Sequence, residues 1–173
     1  MIKIPRLAPA AKPLIDIAHK NCQRLVLLIN DILDFSKIEA GHLSLDVHDF
    51  DVREELKKLT SLFTPTVLLK GIGFAITLPD NTPALLRGDS MRMRQIFINL
   101  ISNAIKFTEK GAVTVEVGFS EPSGGQVRLT CAVIDTGIGI PEDRRDRLFK
   151  AFSQADVSIA RNYGGTGLGL AIS

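Results

Sequence analysis

Much of what would mark a metal, membrane or nucleic-acid protein is missing from this sequence. There are only two cysteines, Cys22 and Cys131, each inside an apolar run and neither in a Cys-x-x-Cys or Cys/His spacing. That excludes a zinc cluster or a disulfide framework, and the pair is read as reduced, buried thiols of a cytoplasmic protein. No apolar run approaches the roughly 18 residues of a membrane-spanning helix. The opening residues Met1 to Leu7 also lack the layout of a signal peptide. Neither sign of charge prevails: 21 Lys and Arg face 19 Asp and Glu, a net +2. No nucleic acid and no anionic membrane is therefore expected as a partner. What is present, 45% hydrophobic and 23% charged residues over 173 positions, suits one core with a helical appendage.

From about Leu14 to Glu39 the pattern is helical. Ala18, Cys22, Leu25, Ile29 and Ile32 step by fours and threes with Leu28 and Phe35 beside them, and Gly41 stands where a left-handed cap would fall. Such a helix needs a partner for its apolar side, and a coiled-coil or hairpin mate is the natural one. Leu43 to Val47 alternates like a short strand. Val52 to Lys70 is again helical, with Asp51 as N-cap and a disturbance expected at Pro65. A strand follows from Ile72 to Leu78. Asp89 or Ser90 caps a helix to about Phe107, and strands at Gly111–Phe119 and Val127–Ile134 form a hairpin around Pro122-Ser-Gly-Gly125. Pro141 opens a short helix ending near Leu148, and Ser153 to Gly169 is a glycine-heavy loop. The fold class this predicts is α+β, a two-layer α/β sandwich preceded by a long helix.

The helix from Ser90 carries two faces. Met93, Phe97, Leu100, Ala104 and Phe107 form an apolar stripe, which predicts core. Asn99, Asn103 and Lys106 lie on a different face. Two amide oxygens one turn apart can ligate a hard cation, and a lysine a turn further can meet phosphate; alone, three polar residues are equally a solvated face. Asp135-Thr-Gly-Ile-Gly139 follows an apolar strand. A carboxylate there can accept from an exocyclic amine such as adenine's, and Gly137 and Gly139 would let backbone approach a flat ring, although Asp and Gly are also ordinary turn residues. Gly164-Gly-Thr-Gly-Leu-Gly169 leads into a helical pattern, presenting N–H groups to an anion. It is neither a Walker loop nor a dinucleotide fingerprint, and Leu168, Leu170 and Ile172 argue against a flexible linker.

In this order and spacing the segments resemble the ATP-binding domain of sensor histidine kinases, within the superfamily that includes gyrase-type topoisomerases and mismatch-repair ATPases. The N box of that family is similar to Arg92 through Thr108 with Asn99, Asn103 and Lys106, and its first glycine box to Asp135 through Ile140. The phenylalanine box resembles Leu148 through Asp156, and the second glycine box Gly164 through Ala171. The resemblance implies an enzyme, a protein histidine kinase moving phosphoryl from Mg-ATP to a histidine and then to a response regulator or receiver domain. It implies ATP and Mg2+ as cofactors, with Asn103 and Asn99 holding the metal and Lys106 contacting phosphate. Asp135 would read the adenine amine beside Gly137 and Gly139, and Arg161, Tyr163, Gly165, Thr166, Gly167, Leu168 and Gly169 would form the lid and its phosphate contacts. It further implies a homodimer through a helical hairpin, and a cytoplasmic module whose parent protein could be membrane-anchored.

The family's phosphoacceptor, a histidine followed by an acid, Leu-Arg-Thr-Pro, has no counterpart here. His19 precedes Lys-Asn-Cys, and His42 and His48 lie beyond the first helix. The resemblance therefore predicts no catalytic histidine and no autophosphorylation by this chain alone. It divides the chain into a non-matching segment over 1–13, the second helix of the dimerisation hairpin over 14–41, and an ATP-binding domain over 42–173 that is expected to lack its last strands, a fragment cut at both ends. Two other readings stay open. One is a non-catalytic ATP-binding or dimerisation module. The other is a clamp-type ATPase, disfavoured because asparagine at position 99 cannot act as the base that activates water.

Overall fold

The computed structural model describes residues 11–120, 125–151 and 167–173. It separates into two compact units that meet between Leu43 and Ser44. In the first, a single helix α1 (Ala11–Glu39) closes at Gly41, whose φ of 67° and N–H bond to the Ile38 carbonyl at 3.0 Å make the expected left-handed stop. Its apolar residues, Leu25, Ile29 and Ile32 among them, are exposed, because no second helix is described in that unit to cover them. Cys22 shares that exposure, against the expectation of a buried thiol. Among the described residues, no helix is long and apolar enough to cross a membrane.

In the second unit, β1 (His48–Phe50) pairs antiparallel with β3 (Leu86–Gly88). A three-stranded sheet runs in the order β2-β4-β5, formed by β2 (Gly73–Thr77), β4 (Ala112–Ser120) and β5 (Arg128–Asp135). β2 lies parallel to β4, and β4 antiparallel to β5 as a hairpin. Helices α2 (Val52–Lys70) and α3 (Ser90–Phe107) pack on this sheet and on each other. Alternation along β4 sends Val113, Val115 and Val117 inward against Leu56, Leu59, Phe97 and Ile101. Thr130, Ala132 and Ile134 of β5 are exposed on the other face. The result is the two-layer α+β arrangement expected from the sequence.

Four expectations need correction. The alternating Leu43–Val47 is not a strand, since pairing begins only at His48; with no partner backbone beside it, Leu45 and Val47 stay exposed. Pro65 does not interrupt α2, which runs through it to a Gly71 cap with φ 67°. Burial of Leu59, Phe63 and Val67 holds the helix, and hydroxyls of Thr60 and Thr64 bond back to carbonyls four residues earlier. On α3 the buried line is Phe97, Ile101, Ala104 and Ile105, while Met93, Leu100 and Phe107 are half-buried. The core-facing arc is turned toward Ile101 and Ile105 because α3 meets α2 as well as the sheet. Finally, the segment after Pro141 is a 3-10 turn, Glu142–Arg147, instead of an α-helix.

Candidate functional site

Helix α3 is held at both ends by charge and hydrogen bonds. At its start Asp89 is the N-cap: one carboxylate oxygen accepts from Arg92 N at 2.9 Å and the other from Asp46 N at 3.0 Å. The Arg92 N–H bond outweighs the burial that would raise the carboxyl, and keeps it below its ordinary pKa. His48 adds a second tether, with Nε2 3.0 Å from Ser90 Oγ and Nδ1 3.0 Å from the Asp46 carbonyl. Along its flank, Arg94 and Lys58 both bond the buried carboxylate of Glu55 on α2. At its end, Thr108 Oγ1 returns to the Ala104 carbonyl at 2.8 Å. Lys70 of α2 donates to the carbonyls of Ile105, Lys106 and Thr108 at 2.6, 3.2 and 3.2 Å.

Two of the residues expected to carry chemistry, Gly169 and Gly137, meet α3, one at its middle and one at its end. At mid-helix, Asn99 Nδ2 donates to the Gly169 carbonyl at 3.0 Å, against the short helical turn α4 (Gly169–Ile172). Leu168, just before it, is fully buried, as its apolar character required. At the helix end, a side chain on Gly137 would place its Cβ 2.5 Å from the Phe107 carbonyl oxygen and 2.8 Å from Asp135 Oδ1. Only a hydrogen fits there. Asp135 Oδ1 itself accepts from Gly137 N at 2.9 Å, an Asx-type turn. Gly139 is a different case: its φ is 68° and nothing lies within 4 Å of its Cβ position, so backbone conformation alone calls for glycine.

Asn103 is half-buried, and no side-chain hydrogen bond engages it among the described residues. The Lys106 ammonium lies 4.9 Å from the centre of the Phe107 ring, and burial lowers its pKa from the ordinary lysine value. Arg161, Tyr163, Gly165 and Thr166 lie outside the described residues, as do the latter part of the phenylalanine box from Phe152 and Pro122 to Gly124 of the hairpin turn. Phe149, from the start of that box, is exposed. An open depression of about 310 Å³ over the paired strands β4 and β5 is lined by Glu116, Val117, Gly118, Thr130, Cys131 and Ala132; it contains none of the expected site residues. Burial raises the Cys131 thiol there to about 11, so it is not a nucleophile at neutral pH.

Three contributors were not assigned roles from sequence. Thr136 Oγ1 bonds the Ala112 N–H at 3.0 Å and the Lys110 carbonyl at 3.1 Å, tying the loop after β5 to the start of β4. Gly111, with φ 103°, would meet that hydroxyl at 2.1 Å if it bore a Cβ. Lys70 is the third. Thr136 sits inside the Asp-Thr-Gly segment and was within reach of a turn argument; the Lys70 contact joins residues 35 to 38 apart and leaves no local signal.

Taken together, α3 offers amide oxygens and an ammonium along one face, with a carboxylate loop at its end and a glycine turn at its middle. Residues 88–173 match the family described as histidine kinase-, DNA gyrase B-, and HSP90-like ATPases. Signal transduction histidine-protein kinase BarA of Escherichia coli strain K12 is 41% identical over 167 residues, spanning 96% of this chain and 18% of that protein. Sensory/regulatory protein RpfC of Xanthomonas campestris is 40% identical over 169 residues, spanning 97% and 23%. Among solved structures, full-length ShkA in complex with AMPPNP superposes with a TM-score of 0.76 at 34% identity, covering 97% of this chain and 34% of that one. The chain thus spans about a fifth of the length of these curated relatives. Its ATPase-type domain belongs to the histidine kinase-, DNA gyrase B-, and HSP90-like family, in a chain homologous to sensor histidine kinases.

Proposed function

We propose that this chain is the ATP-binding catalytic module of a two-component sensor histidine kinase. It serves transfer of the γ-phosphoryl group of Mg-ATP to a histidine, and from there to a response regulator or receiver domain. The observation that carries the reading is the position of α3 between the Gly169 turn, bonded to Asn99, and the Asp135–Gly137 loop, pressed on the Phe107 carbonyl. Phosphoryl transfer asks a protein for alignment and charge neutralisation more than for covalent chemistry.

Asp135 accepts from the adenine amine through the oxygen not engaged by Gly137, with Gly137 and Gly139 beside the ring. Lys106 meets phosphate. Arg161, Tyr163, Gly165, Thr166, Gly167, Leu168 and Gly169 form the lid over the phosphates. The donor set suits magnesium, which keeps most of its waters and phosphate ligands and needs few from the protein. Asn103 would hold it together with Asn99, whose Oδ1 is left once Nδ2 is spent on Gly169. When bound, the ion neutralises charge on the phosphates. The exposed stripe of α1 at Leu25, Ile29 and Ile32 is the surface through which a helical hairpin would form a homodimer in a longer protein, on the cytoplasmic side where ATP is available.

Histidines 19, 42 and 48 stand in no acceptor motif, so the chain binds nucleotide without phosphorylating itself. Calorimetric titration with AMPPNP tests the reading: binding with Mg2+ that weakens on chelation is expected. A folded chain that takes up no nucleotide with Mg2+ present would overturn it.

A further inference from the structure

The structure assigns Lys70 a role as a positioning residue for the nucleotide site, acting through Lys106 and the Asp135 loop. This rests on the reading of α3 as the phosphate-facing helix. The last turn of any helix leaves carbonyls without intrahelical partners. Here three of them, on Ile105, Lys106 and Thr108, converge on one ammonium from α2, at 2.6, 3.2 and 3.2 Å. A lysine at a helix C-terminus is favourable to the dipole as well as to the hydrogen bonds, but this lysine belongs to a different helix. It therefore joins two elements where a local cap would only finish one.

The bond closes a ring. From Lys70 the chain turns at Gly71 into β2, where Gly73 N donates to the Gly111 carbonyl at 2.8 Å. Gly111 lies so close to Thr136 that no Cβ fits, and Gly137, one residue on, is pressed against the Phe107 carbonyl. Phe107 sits between two of the carbonyls that Lys70 holds. Around this ring, the turn that bears Lys106 and the loop that bears Asp135 keep a fixed separation. Those two side chains are the ones proposed for opposite ends of one nucleotide. Water can solvate each carbonyl separately when Lys70 is removed, but it cannot tie them to α2, so the loss falls on alignment more than on folding.

Mg-AMPPNP titrations of the whole chain, compared among wild type, Lys70→Met, Lys70→Arg, Lys106→Met and the Lys70→Met/Lys106→Met double variant, test this. Lys70→Met is expected to weaken binding about tenfold, the scale on which the partners of binding groups act, with Lys70→Arg recovering most of it. In the double variant the two losses should fall well short of multiplying, because Lys70 acts through Lys106. Amide exchange in the ligand-free Lys70→Met variant should quicken at both 105–108 and 135–137. Unchanged affinity, fully multiplicative losses, or faster exchange confined to 105–108 would each overturn the role. A wild-type chain that is folded and binds no nucleotide would remove the site reading itself, and this role with it, an outcome distinct from the failure of Lys70 alone.

Discussion

The side-chain amide of Asn99 is a strut for Gly169: it donates to that carbonyl at 3.0 Å across 70 residues of sequence, and a Cβ on Gly169 would stand 3.4 Å from the same amide. Asn103, one turn further along α3, has no such duty. Two asparagines proposed for one metal should thus separate on substitution. Asn99→Ala is expected to lose about 1 kcal/mol of stability with the hydrogen bond, as well as Mg-dependent affinity for AMPPNP. Asn103→Ala should lose affinity alone. Thermal unfolding beside calorimetry checks this; equal melting temperatures for both variants would show that the Gly169 strut is not a source of stability.

Gly137 and Gly139 are both glycine for unlike reasons, and alanine distinguishes them. At Gly137 the added methyl would lie 2.5 Å from a backbone oxygen of α3, so helix and loop must part. Overpacking of this kind costs about 1–3 kcal/mol, and here it also moves Asp135. At Gly139 there is open space but φ is 68°, and the penalty is confined to the left-handed backbone, about 1 kcal/mol. Denaturant unfolding should rank Gly137→Ala as the more damaging, with nucleotide affinity falling much further for it than for Gly139→Ala. The reverse ranking would count against the loop packing described.

How far the sequence disclosed this arrangement depends on the range of each interaction. Asp89 as a helix cap, Gly41 as a helix stop and the hairpin of β4 and β5 follow from neighbouring residues, and all were legible. The polar face of α3 proposed for the nucleotide was legible as a face because Asn99, Asn103 and Lys106 are one helical turn apart. Its buried face was read one position astray: α3 is apolar at 100, 101, 104 and 105 alike, and only contact with α2 decides that Ile101 and Ile105 go inside. The parallel pairing of Gly73–Thr77 with Ala112–Glu116 is set by a long crossover and left no local mark. Neither did Lys70, which stays exposed while its ammonium reaches three carbonyls at the end of α3. Pro65 misled because helix propensity is a weak prior once three core side chains hold the surrounding turns.

The buried carboxylate of Glu55 predicts a pH dependence. Burial pushes its pKa up, but hydrogen bonds from Lys58 and Arg94 outweigh this and leave it below the ordinary 4.5. A carboxyl depressed in the folded state adds stability at pH above its unfolded value, and loses it as pH falls through the folded one. Stability should therefore fall below about pH 4.5 in wild type, and this component should be absent from Glu55→Gln. Arg94→Met, which leaves a buried acceptor with Lys58 alone, should cost about 1–3 kcal/mol near neutral pH. Denaturant midpoints from pH 3 to 7 measure both; parallel curves for wild type and Glu55→Gln would dismiss the carboxylate as their source.

Asp135 allows the sharpest test of the adenine contact, because its two oxygens do different things. Oδ1 accepts from Gly137 N at 2.9 Å and shapes the loop; the other oxygen is the one proposed to accept from the adenine amine. Asparagine can keep the first bond through its own Oδ1, while its amide nitrogen replaces the second acceptor with a donor. Adenine then presents a donor to a donor, whereas guanine offers a carbonyl oxygen at that place. Asp135→Asn should thus retain wild-type melting behaviour while weakening Mg-ATP by one to two orders of magnitude, on the scale of about 1–3 kcal/mol for a mismatched base contact. Its relative affinity for GTP should rise. Asp135→Ala, which also loses the loop bond, should weaken both nucleotides and lower stability. Competition between ATP and GTP for a fluorescent analogue reads these ratios directly, and an unchanged ATP-to-GTP preference in Asp135→Asn would mean that adenine is recognised elsewhere.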